Sequence, residues 1–108
     1  MSTPLRILII EDSEDDALLT VRELKQHGYD PVFERVDTVP AMRAALNNQT
    51  WDAVIADYNM PHFSVTEALA LLRESGFYLP FIIVSDTIGE ETAVATIKAG
   101  ADDYLMKD

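Results

Sequence analysis

A chain of 108 residues, 48% apolar and 25% charged, is sized and balanced for one globular core that needs no staples. It contains no cysteine, which excludes disulfides, thiolate metal sites and cysteine nucleophiles. Nineteen acidic against eight basic side chains give a net charge of −11, which sets the chain against nucleic acid and anionic membranes and toward metal cations and basic protein surfaces.

The chain then reads as short apolar runs alternating with helical patterns. Leu5 to Ile10 reads as a strand buried on both faces. Ser13 with Asp16 predicts a capping box, and the helix it opens turns Leu18, Val21 and Leu24 inward before Gly28 stops it. Pro31 to Val36 is a more polar strand, expected at a sheet edge. Thr38 opens a helix carrying Met42, Ala45 and Leu46. Ala53 to Ala56 is a buried strand that ends at Asp57. Ser64 with Glu67 predicts a second capping box, leading into Ala68, Leu69 and Leu72, with Gly76 as the stop. Phe81 to Val84 is the fourth strand, Glu90 to Ala99 a helix closed by Gly100, and Asp103 to Met106 a short fifth strand. Trp51 and Phe63 are expected to pack locally, and His27 and His62 to lie at the surface. The longest aliphatic runs are too short to span a bilayer, and the N-terminus lacks the apolar stretch of a signal peptide, so the expected location is the cytoplasm.

Five strands alternating with four helices predict an α/β fold over residues 1–108: a flavodoxin-like, doubly wound, five-stranded parallel sheet of order 2-1-3-4-5 with right-handed crossovers. A fifth helix, needed beside the first to cover one face, has no counterpart in the sequence. The strands Phe81 to Val84 and Tyr104 to Met106 are apolar on both faces, so a stripe of about 300–600 Å² is expected to stay open. A helix following Asp108 is the favoured cover; a partner, or a second copy in a dimer, is the other.

In such sheets ligands bind at the carboxyl ends of the strands, where strand order reverses. Strand one ends in Glu11-Asp12, strand three in Asp57, strand four in Ser85 and strand five in Lys107. Three carboxylates, a hydroxyl and an ammonium are therefore brought to one edge from distant parts of the chain. At roughly 5 Å and an effective dielectric of about 20, each pair of carboxylates costs about 3 kcal/mol, which a divalent cation would offset. Mg²⁺ suits oxygen donors such as Glu11, Asp12, Asp57 and a backbone carbonyl from the following loop. Lys107 and Ser85 suit a phosphoryl group, and a carboxylate beside a metal and a lysine suits a nucleophile that forms an aspartyl phosphate. Glu14, Asp15 and Asp16 are read instead as serving the helix dipole.

At these residues the sequence resembles the receiver domain of two-component response regulators. The resemblance covers the whole chain and rests on Glu11-Asp12, on Asp57-Tyr58-Asn59-Met60-Pro61, on Ser85, and on Tyr104 with Lys107. It implies that Asp57 is the phosphoacceptor and that Asp12 and Asp57 bind Mg²⁺ directly. Glu11 would bind directly or through water, and the Asn59 carbonyl would be the remaining protein ligand. It also implies that Ser85 contacts the phosphoryl group and moves toward it, that Tyr104 is the aromatic switch residue, and that Lys107 holds a phosphoryl oxygen. The implied phosphodonor is a phosphohistidine on a histidine kinase or a histidine phosphotransfer protein. Such a chain catalyses its own phosphorylation and dephosphorylation without being a turnover enzyme. The stretch from Thr87 to Lys107 looks like receivers attached to multidomain sensor proteins, which implies a linked output or sensor domain. Three positions depart from the family pattern: Asp86, where a small residue is usual; Val65, where glycine is common; and Asp108, where proline is common.

The alternative is a receiver-like interaction module that is never phosphorylated. The intact acids, Ser85 and Lys107 argue against it. A flavin-type carrier is disfavoured because no Gly-rich loop follows any strand, and a hydrolase because no cap domain or substrate pocket is encoded.

Overall fold

Alternation along β1 (Thr3–Ile10) sets the layers. Successive strand residues point to opposite faces, so Leu8 and Ile10 enter one apolar cluster while Ile7 and Ile9 enter another. The structure is a computed structural model that describes residues 3–85, 94–95 and 97–106. β1 is followed by α1 (Glu14–Gln26), β2 (Tyr29–Val36), α2 (Val39–Asn48), β3 (Ala53–Asp57), α3 (Val65–Glu74), β4 (Phe81–Ser85) and β5 (Asp103–Met106). All neighbouring strands pair in parallel in the order β2-β1-β3-β4-β5, as expected from the alternation of elements. Of the helix expected over Glu90 to Ala99, Val94, Ala95, Ile97 and Lys98 are helical, and Ala99 and Gly100 form the turn after it. Its other residues, Glu90 to Ala93 and Thr96, lie outside the described residues.

The larger core lies between the sheet and the pair α2 and α3. Met42, Ala45 and Leu46 of α2 and Ala68, Leu69 and Leu72 of α3 pack on Val54, Ala56, Phe81 and Ile83. Trp51 closes it from below, burying its ring while Nε1 donates to the Ala45 carbonyl at 3.0 Å. α3 begins with the full capping box expected of Ser64 and Glu67. Gly28 and Gly76 follow α1 and α3 with φ of +91° and +81°, a left-handed conformation that a side chain would strain.

The opposite face carries the smaller core, Ile7, Ile9, Ala53 and Ile55 against Ala17 and Val21 of α1. Leu18, expected to point inward, is 49% exposed, because Ala17, Val21 and Leu24 form the stripe on the sheet and Leu18 lies on its flank, where no second helix meets it among the described residues. Ile82 and Val84 are only partly buried and Leu105 is 53% exposed, which is the open stripe expected on this face. Among the described residues no helix is long and apolar enough to cross a membrane.

Candidate functional site

Strand lengths and register bring the polar residues together. Ile10 lies beside Ala56, and Asp57 beside Val84, so the chain leaves β1, β3 and β4 at one level. Beyond the strand end, Glu11 N–H still donates to the Val36 carbonyl at 3.0 Å and Tyr58 N–H to the Val84 carbonyl at 3.0 Å. The side chains that follow are held by the backbone ladder.

Glu11, Asp12 and Asp57 each offer an oxygen to one point, and these oxygens all lie within 4.8 Å of one another. Glu11 and Asp57 are buried and Asp12 is exposed, so the cluster opens to solvent on the Asp12 side. Glu11 Oε1 accepts from Ser13 N–H at 3.2 Å. That N–H is the one an N-terminal capping box would direct to Asp16; the glutamate takes it, while Ser13 Oγ still accepts from Asp16 N–H at 3.2 Å. The acidic cluster and the start of α1 are thus one hydrogen-bonded unit. Burial pushes the Glu11 carboxyl up to about 7; the Ser13 N–H opposes the rise and the Asp57 and Asp12 carboxyls add to it.

Asp57 Oδ1 accepts from Asn59 N–H at 3.1 Å, an Asx-type turn that fixes the carboxylate plane. Asn59 Nδ2 donates to Ser85 Oγ at 3.0 Å, and Ser85 is fully buried. Sequence reasoning assigned Asn59 only its carbonyl; the side-chain bond to β4 was missed, since nothing in the spacing of residues 59 and 85 announces it. Also missed was Arg35, whose Nη1 donates to the Glu11 carbonyl at 3.2 Å. Tyr104 is half-buried against the larger core. Lys107, Asp86 and Asp108 lie outside the described residues. His62 is exposed, and exposed His27 pairs with Glu23 at 3.3 Å, as expected of surface residues.

The donor set fits Mg²⁺: carboxylate oxygens only, one partly open side, and a buried acid whose ionised form a cation would stabilise. The response regulator receiver domain model matches residues 7–108. The chain belongs to the response regulator receiver domain family. It is 33% identical over 105 residues to the transcriptional regulatory protein PrrA of Mycobacterium tuberculosis, a match that covers 97% of this chain and 44% of PrrA. It is 27% identical to a chemotaxis protein CheY homolog of Campylobacter jejuni, covering 95% of this chain and 81% of that protein. Among solved structures, the receiver domain of the Francisella response regulator 1452 superposes with a TM-score of 0.77 at 24% identity, over 95% of this chain and 84% of that one. The chain thus spans less than half the length of PrrA. Receivers are signalling domains of two-component systems, not turnover enzymes, and they bind Mg²⁺ at an acidic cluster like the one formed here by Glu11, Asp12 and Asp57.

Proposed function

We propose that this receiver is a Mg²⁺-dependent switch that accepts a phosphoryl group on Asp57 from a histidine kinase or a histidine phosphotransfer protein. The observation that carries the reading is the convergence of Glu11, Asp12 and Asp57 within 4.8 Å at the ends of β1 and β3, beside buried Ser85. In the transfer, an Asp57 carboxylate oxygen attacks phosphorus, the P–N bond to the donor imidazole breaks, and the imidazole leaves. Bound Mg²⁺ supplies charge neutralisation for the carboxylates and the phosphoryl oxygens. Asp12 and Asp57 would hold it directly, Glu11 directly or through water, and the Asn59 carbonyl would complete the protein's share. The Asn59 N–H holds the Asp57 carboxylate in plane. Ser85 Oγ accepts from Asn59 Nδ2, and its hydroxyl, a donor as well as an acceptor, would turn to donate to a phosphoryl oxygen. Lys107 would neutralise a second phosphoryl oxygen, and Tyr104 would turn inward as Ser85 moves. A linked output or sensor domain would read the change.

Acetyl phosphate with Mg²⁺ is expected to add one phosphoryl group, seen by intact-mass spectrometry, and to add none in the presence of a chelator or to Asp57→Asn. An undiminished adduct on Asp57→Asn would place the chemistry elsewhere. Asp86, read from the sequence alone, adds a like charge beside Ser85 and is expected to slow phosphorylation. At roughly 7 Å and an effective dielectric of about 20, one charge against a dianion costs about 5 kcal/mol as an upper guide. Asp86→Gly should therefore be phosphorylated faster at low ionic strength; equal rates would refute the argument.

A further inference from the structure

β2 runs beside β1 up to Val36, and the chain then turns through Asp37 and Thr38 into α2. At that turn the Arg35 side chain reaches across to β1. Its Nη1 donates to the Glu11 carbonyl at 3.2 Å, while Val36 accepts from the Glu11 N–H at 3.0 Å. Both main-chain polar groups of Glu11 are therefore tied to the end of β2. The carbonyl that Arg35 holds belongs to the peptide linking Glu11 to Asp12, so its orientation sets where the Asp12 side chain leaves the backbone. Arg35 is itself steadied by Asp37, 3.8 Å from the same nitrogen.

We propose that Arg35 is a positioning residue for the cation site: by clamping the Glu11–Asp12 peptide, it sets the geometry in which the Asp12 carboxylate meets Asp57. The proposal rests on the reading of this cluster as a Mg²⁺ site. Two opposed effects decide the sign. The guanidinium's charge works against a nearby cation, and its hydrogen bond organises the ligands. The charge is shared with Asp37, and the two side chains are 32% and 46% exposed, so solvent and salt screen it. The hydrogen bond acts on Asp12 through the shared peptide and is not screened in that way. Orientation therefore outweighs repulsion, and loss of Arg35 weakens Mg²⁺ binding.

The test is a calorimetric titration of MgCl₂ into the 108-residue chain, its Arg35→Met variant and its Arg35→Lys variant. Arg35→Met keeps the aliphatic packing and removes donor and charge; it is expected to bind Mg²⁺ about tenfold more weakly, the low end for a residue that orients a metal ligand. Arg35→Lys keeps the charge and one donor and is expected to recover part of the loss. Thermal melting of each variant separates this from folding: a merely structural arginine would lower the melting temperature and leave the affinity of the folded protein unchanged. Should Arg35→Met not fold at the titration temperature, Arg35→Lys carries the comparison, with weaker binding than the wild type expected. Equal or tighter Mg²⁺ binding by Arg35→Met, or by Arg35→Lys in that case, overturns the role of Arg35 alone. A wild-type chain that takes up no Mg²⁺ overturns the cation reading itself, and Arg35's role with it.

Discussion

In metal-free buffer the stability of this receiver is expected to fall as the pH rises from about 4.5 to about 7, and Glu11→Gln is expected to remove most of that fall. The Glu11 carboxyl is raised from 4.5 to about 7 in the folded protein, chiefly by burial. Over that interval the folded state keeps a proton that the unfolded chain has lost, so each step up in pH favours unfolding. The proton's contribution is complete below the unfolded value and gone above the folded one. A full shift of that size is worth about 3 kcal/mol, a large share of a small domain's stability. Glutamine is neutral at every pH in the interval and retains an oxygen to accept from Ser13 N–H. Urea unfolding at about pH 4.5 and about pH 8, on either side of the interval, checks this. The stability difference between Glu11→Gln and wild type should shift in the variant's favour by up to about 3 kcal/mol at the higher pH. The same difference at both pH values would mean that Glu11 is not held protonated by its surroundings.

Mg²⁺ is expected to reverse that loss. Binding to the folded state alone stabilises by mass action, about 1.4 kcal/mol at roughly ten times the dissociation constant. For a domain of this size that raises the melting temperature by roughly 6–11 °C. Asp12 contributes the exposed oxygen of the cluster, so Asp12→Ala should lose the rise while folding normally, since its side chain fills no part of either core. Melting curves with and without Mg²⁺ at low salt decide it; a rise of the same size in Asp12→Ala would remove that residue from the ligand set.

The sheet order was legible because β1, β3 and β4 each carry a short apolar run, the more polar β2 reads as an edge, and α1, α2 and α3 each begin at a side chain able to cap them. Ser13, Thr38 and Ser64 each accept from the backbone N–H three residues on. The meeting of Glu11, Asp12 and Asp57 was legible for a related reason: parallel strands of one sheet bring their carboxyl ends to one edge. Less legible were features set by side-chain reach. Asp16 satisfied the spacing of a capping box, yet Glu11 takes the Ser13 N–H, because the end of β1 lies close enough to compete. Leu18 fitted a helical apolar period, but the period does not say how wide a stripe the sheet covers, and Ala17 occupies the contact. Arg35 and the Asn59 side chain reach partners 24 and 26 residues away, across strands, and no local pattern marks such contacts.

If Asp57 carries the phosphoryl group, chemical trapping will locate it there. After brief incubation with acetyl phosphate and Mg²⁺, borohydride reduces an acyl phosphate to an alcohol, leaving homoserine in place of the modified aspartate. Peptide mass mapping should find that conversion at Asp57 and at no other carboxylate, with none when Mg²⁺ is chelated. Conversion at Asp12 or Glu11, or a borohydride-resistant phosphoryl group on a hydroxyl such as Ser85, would mean that Asp57 is not the phosphoacceptor.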